Sequence, residues 1–335
     1  MNSTDLPKQS VKTTVIANMI LTSFAVTINI FSIVTLSQCV RIDKRIKLMI
    51  RNIALADGFL GCFPGLAVLS DYIGFSDIVL GCHFYLISSR FFTFTKLFSV
   101  SILAVDRFIC LYLSNWYLQY VSESLVFAVS LGTWLTSFGI TMGTYTSGVS
   151  FVVDCVNDNM KNGFSIVLTI SVACGLVIIG AYTGVFLNVK KHVRKMKSIN
   201  LSTSSSQTNL YKSTFILCLL MLVFVLCYTP AGVYRTMVYL NPDRLFETGG
   251  IRNVTNIIFM SSTVINPLLY IWRFKECRIR MSKMLCLCNK RYLEELDREQ
   301  KIMCASFLCE TPQVHVPPSC DQKQNDFMET AESYI

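Results

Sequence analysis
A chain of 335 residues that is 52% hydrophobic and only 15% charged is unlike a soluble globular protein, in which about 25% of residues carry charge. The formal net charge of +9 does not mark a nucleic-acid binder, because most of the bases lie in short stretches between long apolar tracts. Composition and placement together exclude a soluble fold and point to the membrane.

Seven largely apolar tracts follow one another, at 15–40, 53–70 (broken only by Asp57), 80–112 (with Arg90, Lys96, Asp106 and Arg107), 124–153, 162–189, 213–234 and 253–272. Each is near or above the ~20 residues that a helix needs to cross a bilayer. The short alternating segments of a membrane barrel are missing, and no internal repeat supports an inverted-repeat transporter. The expected fold is an all-α membrane protein. A seven-transmembrane helix bundle spans 14–273, after a short extracellular N-terminus at 1–13. A short amphipathic eighth helix on the membrane surface (274–288) and a disordered cytoplasmic tail (289–335) follow. Arg41, Lys44, Arg45, Lys47 and Arg51 follow the first tract. Lys190, Lys191, Arg194, Lys195 and Lys197 follow the fifth, and Arg273, Lys275, Arg278, Arg280 and Lys283 follow the seventh. Asp71, Asp77, Asp154, Asp158, Asp243 and Glu247 mark the other face. The positive-inside rule then puts the N-terminus outside and the C-terminus in the cytoplasm. The first tract is expected to serve as its own insertion signal.

Along the chain, Asn2-Ser3-Thr4 fits a glycosylation acceptor, with a chance match as the alternative. Asn29 interrupts the first tract and Asp57 the second. A carboxylate at that depth is paired, holds a cation, or is protonated and neutral; Lys96, at similar depth in the third tract, offers a partner. Cys82 and Cys155 are the two cysteines on the expected outer side, which is oxidising, so they can form a disulfide. The third tract also carries Ser89 and Arg90 in its outer half and closes on Asp106-Arg107-Phe108. Trp134 stands in the fourth tract and Tyr182 in the fifth; Phe224, Cys227, Tyr228 and Pro230 fall in the sixth, where a proline makes a natural hinge. The seventh ends in Asn266-Pro267-Leu268-Leu269-Tyr270, and Cys286 and Cys288 beyond it are placed for palmitoylation. Ser333-Tyr334-Ile335 matches a PDZ-domain ligand, though three residues match often by chance.

Together these motifs are specific. The chain resembles the rhodopsin-like class of G-protein-coupled receptors over about 14–290. The resemblance rests on Asn29, Leu55-Ala56-Asp57, Cys82 with Cys155, Asp106-Arg107-Phe108, Trp134, Tyr182, Cys227-Tyr228-Thr229-Pro230 and Asn266-Pro267-Leu268-Leu269-Tyr270, one set per helix and in order. It implies a plasma-membrane receptor whose agonist binds in the outer half of the bundle. Agonist shifts a two-state equilibrium and opens a cytoplasmic cavity for a heterotrimeric G protein. Asp106, Arg107, Tyr182, Phe224, Tyr228, Pro230, Asn266, Pro267 and Tyr270 are the activation residues, and receptor kinases and arrestin are implied partners. Phe108 and Tyr228 are aromatic replacements within the family's motifs. Cys174 stands where the fifth helix usually has proline, which puts its bulge in question, and Leu210 where many members keep an acid that locks the arginine. The missing acid predicts agonist-free signalling.

Lys96 departs most. Ten residues before Asp106 the family has a small polar residue that helps hold sodium at Asp57; here an ammonium is expected to replace the ion and pair with Asp57. Asn29, Ser262, Thr263 and Asn266 are expected to complete the hydrogen bonding. Ser89 stands where amine receptors need an aspartate, and Met260 where opsins need a lysine, which disfavours both. Arg90, Arg235 and Arg252, with Ser89, point to an anionic ligand such as a peptide terminus, a nucleotide or an acidic lipid; alternatively the arginines pair with Asp71, Asp154 or Asp158 and close the mouth. An orphan or constitutively active chemosensory receptor is the other reading within the class. A transporter or channel lacks a continuous polar path. An intramembrane enzyme lacks paired catalytic groups, and His83, His192 and His315 are too scattered for a metal site. No cofactor, enzyme activity or nucleic-acid partner is expected.

Overall fold
The computed structural model describes residues 5–40, 42–72, 78–146, 161–198, 223, 225–234, 236–237, 240, 249–285 and 290–310. The described residues form helices α1 (Asp5–Gln38), α2 (Lys44–Tyr72), α3 (Ile78–Tyr112), α4 (Ser114–Tyr120), α5 (Glu123–Thr146), α6 (Lys161–Ser198), α7 (225–234), α8 (Gly249–Arg273), α9 (Lys275–Leu285) and α10 (Lys290–Glu310), with no strand among them. Among the described residues, four segments are long and apolar enough to cross a membrane, at Ile16–Gln38, Glu123–Thr146, Ile166–Lys191 and Val254–Arg273. His83–Tyr112 with Ser114–Tyr120 makes a fifth, bent by 118° at Leu113. That bend turns α4 away from the axis of α3, so α4 caps the bundle's end.

α3 is the hub: α2, α4, α5 and α6 all pack on it. α1 packs on α2, α8 and α9, and α8 also touches α2. Apolarity does not decide which face turns inward when the solvent is lipid; close packing and hydrogen bonding do. On α5 the buried residues are Val126 and the small polar Thr133, Ser137, Thr141 and Thr144, at helical spacing. Leu125, Phe127, Leu131, Leu135 and Phe138 face outward, as Val172, Leu176, Phe186 and Leu187 do on α6. Three of the buried hydroxyls donate to carbonyls one turn back, Thr133 to Ser130 at 2.6 Å, Ser137 to Thr133 at 2.6 Å and Thr144 to Thr141 at 3.1 Å, so these polar groups are met within the helix itself.

The N-terminal helix starts at Asp5, ahead of the apolar boundary at 14. α6 is an uninterrupted α-helix through Cys174, without the bulge that the cysteine put in question. α10 occupies Lys290–Glu310, within the tail expected to be disordered. Polarity and lost periodicity suggested disorder, but the segment is rich in good helix formers and its acids meet bases on α9. Lys283 pairs with Asp297 and donates to Gln300 Oε1 at 2.5 Å, Lys275 lies 3.4 Å from Glu299, and Leu296 and Gln300 are buried.

Candidate functional site
Helical spacing puts Ile53, Asp57 and Leu60 on one buried face of α2, and Phe92, Lys96, Ser99 and Leu103 on one buried face of α3. Ala54 and Ala56, both buried, let the two helices approach. Lys96 Nζ lies 2.6 Å from Asp57 Oδ1, with side-chain exposures of 1% and 0%. Taking two charges out of water costs several kcal/mol each, offset only when geometry is good and the remaining donors and acceptors are met. The surroundings supply this. Lys96 donates to Ser262 Oγ at 2.7 Å, Ser262 donates to the Phe259 carbonyl, and Asn266 Nδ2 donates to Asp57 Oδ2 at 3.3 Å. The ammonium also lies 5.7 Å from the centre of the Tyr228 ring, within cation–π range. The cluster thus ties α2, α3, α7 and α8 together.

Of the four residues expected around the pair, Ser262 and Asn266 reach it. Asn29 and Thr263 bond backbone carbonyls instead: Asn29 Nδ2 donates to Ala25 at 2.8 Å and to Thr263 at 2.9 Å, and Thr263 Oγ1 donates to Met260 at 2.6 Å. A side-chain amide near the close α1–α8 contact finds an unmet carbonyl before it finds the carboxylate. Trp134 Nε1 donates to Asn52 Oδ1 at 2.7 Å, and Asn52 Nδ2 donates to Ser99 Oγ at 2.8 Å, which joins α5, α2 and α3. Asn52 was passed over in the sequence, although a lone amide at the head of an apolar tract was the signal for it.

At the other end of α3, Arg107 Nε donates to Asp106 Oδ2 at 2.8 Å, and a second guanidinium nitrogen contacts the same oxygen. Tyr117 on α4 closes the cluster. Its hydroxyl donates to Asp106 Oδ1 at 2.9 Å and accepts from Arg107 at 3.2 Å. The Arg45 guanidinium stacks 4.7 Å over the Tyr117 ring, donates to the Val121 carbonyl at 3.0 Å and pairs with Asp43 at 2.7 Å. That hydrogen bond holds the Asp43 carboxyl below its usual range. Nothing in the hydrophobic pattern singled out Tyr117, an aromatic residue in a short loop.

Between the two charged clusters lies a cavity of about 10 Å³, lined by Val100, Leu103, Tyr182, Tyr228, Ser262, Asn266 and Tyr270. Tyr182 and Tyr270 are both buried. The helical backbone runs through Pro230 and Pro267. Ser89 and Arg90 are half-buried on the half of α3 that precedes Lys96. Asn2, Cys155, Leu210, Phe224, Arg235, Cys286, Cys288 and residues 333–335 lie outside the described residues, as do the side chains of Cys82 and Arg252. Among the described residues no group of His, Cys, Asp or Glu is placed to hold a metal.

A helical bundle that crosses the membrane, with an ionic cluster at its middle and an Asp-Arg cluster at one mouth, has the form of a seven-helix membrane receptor. The chain belongs to the family described as 7 transmembrane receptor (rhodopsin family), which it matches over residues 10–270. It is similar to melanocortin receptor 5 of Ovis aries, 26% identical over 192 residues that cover 56% of this chain and 55% of that protein. It is also similar to adenosine receptor A2a of Homo sapiens, 21% identical over 257 residues (70% and 62%), and to melanocortin receptor 3 of Homo sapiens, 23% identical over 192 residues (56% and 56%). The chain spans just over half the length of the melanocortin receptors it matches.

Proposed function
We propose that the chain is a plasma-membrane receptor, with its N-terminus outside, that activates a heterotrimeric G protein when an agonist engages the outer half of the bundle. The observation that carries this reading is the Asp106–Arg107–Tyr117 cluster. Among the described residues, its arginine is hydrogen-bonded to Asp106 on α3 and Tyr117 on α4. Outward movement of the sixth span, hinged at Pro230, would expose Arg107 with Tyr182, Tyr228, Asn266, Pro267 and Tyr270 to a partner. Because Leu210 replaces the acid that would clasp Arg107 from that span, the closed state is weakly held and some signalling occurs without agonist. Measuring nucleotide exchange by G proteins in membranes with and without the receptor tests this. An excess with the wild type, lost in Arg107→Ala, is expected; no excess would reject it. Antibody access to tags at both termini tests the orientation: labelling of both from one face would overturn it.

Lys96 takes the place of a bound sodium ion in this proposal. A tethered ammonium cannot diffuse away, so the pair is a fixed component of the bundle rather than a site regulated by salt. Lys96→Ser opens that place, and exchange activity should then fall in sodium relative to choline.

The agonist is read from this chain's own groups, since the relatives' names point to two chemistries, a melanocortin and adenosine. Arg90, Arg235 and Arg252, with Ser89, favour an anionic group on the ligand. Potency that survives Arg90→Gln with Arg235→Gln would reject this. The surface helix, acylation at Cys286 and Cys288, the Cys82–Cys155 disulfide, glycosylation at Asn2, and partnership with receptor kinases, arrestin and a PDZ protein belong to the same proposal. Mass spectrometry and pull-down of the full chain test them.

A further inference from the structure
The inner end of α1 and the start of α9 carry two thiols that the receptor reading leaves unused. Cys39 follows the last residue of α1 and is 1% exposed; Cys277 lies in the first turn of α9 and is 0% exposed. Their sulfurs are 2.9 Å apart although 238 residues separate them in sequence. That spacing is tighter than unbonded contact and needs only roughly 0.9 Å of closure to reach a bonded distance. The neighbourhood holds both thiols in place. Cys39 Sγ lies 3.2 Å from the Thr35 carbonyl, and Lys47 Nζ donates to the Cys39 carbonyl at 2.7 Å. Glu276 Oε1 accepts from the Val40 N–H at 2.8 Å and from Arg280 at 3.4 Å. Val40, next in the chain, is exposed, so local opening at the end of α1 brings the pair to solvent.

We propose that Cys39 and Cys277 form a reversible, peroxide-oxidisable thiol pair, a modification site that fastens the inner end of α1 to α9. The Cys39 thiolate attacks one peroxide oxygen, the O–O bond breaks, and hydroxide leaves with the thiol proton as water. The resulting sulfenic sulfur is attacked by Cys277, whose sulfur bonds to Cys39 as the hydroxyl departs with the second thiol proton as another water. Two thiols lose two electrons and one hydrogen peroxide is reduced to two waters. The contact with Cys39, followed by burial, raises the Cys277 thiol's pKa, so Cys277 keeps its proton at rest. The link would hold the start of α9, and through it the end of α8, against α1. The proposal rests on the cytoplasmic placement of this end, since a reducing compartment leaves the pair open until oxidant arrives.

The test uses the full chain in membranes, treated with hydrogen peroxide, denatured, alkylated, digested and weighed. Before peroxide, the Cys39 and Cys277 peptides should both be alkylated. After it, both alkylated peptides should be lost and a joined pair, lighter by two hydrogen atoms, should appear and revert with dithiothreitol. Cys277→Ser should abolish the joined peptide. Separate alkylation of both thiols at a dose that oxidises the partly exposed Cys110 would overturn the proposal, as would either thiol bonded to another cysteine. A link complete before peroxide would also overturn it and would indict the orientation. Absence of the link alongside tags on opposite faces leaves the receptor reading standing.

Discussion

A lysine ammonium shut away from water and lipid must be neutralised where it stands, and Lys96 meets Asp57 within 2.6 Å. Removing one partner strands the other, so Lys96→Met should lower stability by ~3–5 kcal/mol. Lys96→Met with Asp57→Asn should cost markedly less, which thermal unfolding of the purified receptor in detergent can compare. Both charges were visible in the sequence because each stands in the middle of a largely apolar tract; Tyr117 was not, because an aromatic residue between two such tracts interrupts nothing. At the surface the effects are smaller. Arg45 holds the Asp43 carboxyl below its ordinary 3.8. A lowered carboxylate contributes stability above that value and loses it as pH falls through the lower folded one. The Asp43–Arg45 contribution should therefore be constant near neutrality and vanish only below about pH 4, and Asp43→Asn should cost under ~1 kcal/mol at neutral pH. Unfolding of wild type and variant across that range checks both.

Helix contacts depend on what small residues permit. An added Cβ at Gly184 on α6 would come within 2.5 Å of the Phe108 ring on α3, a ring stacked 4.4 Å from Tyr112. Gly184→Leu should therefore force α6 away from α3 and cost ~1–3 kcal/mol, read as a lower unfolding temperature; an unchanged temperature would mean that this contact is slack. Lys283 on α9 holds α10 through Asp297 and Gln300. Lys283→Glu should release it, seen as faster amide exchange over 290–301 with α8 unaffected. The sequence showed α9 as an amphipathic run but concealed α10. Its charges read as solvated until the bases they pair with, in the preceding helix, are seen beside them. The inward face of α5 was equally hidden: in lipid the buried stripe is Thr133, Ser137 and Thr141, and hydrophobic periodicity marks the wrong side.

The arrangement of the whole molecule follows from seven apolar tracts, a charge bias between their loops and a motif in each, and this is why the family was readable before any coordinates. The ligand was not, because recognition depends on which of Arg90, Arg235 and Arg252 converge, a tertiary property that no tract records. A covalently tethered cation, Lys96, stands at the centre of the bundle. Basal nucleotide exchange on G proteins, in membranes bearing the wild-type receptor, measured in sodium chloride and in equimolar choline chloride against receptor-free membranes, tests this most directly. The account predicts exchange above the receptor-free level and equal in the two salts. A fall specific to sodium, or no excess in either salt, would contradict it.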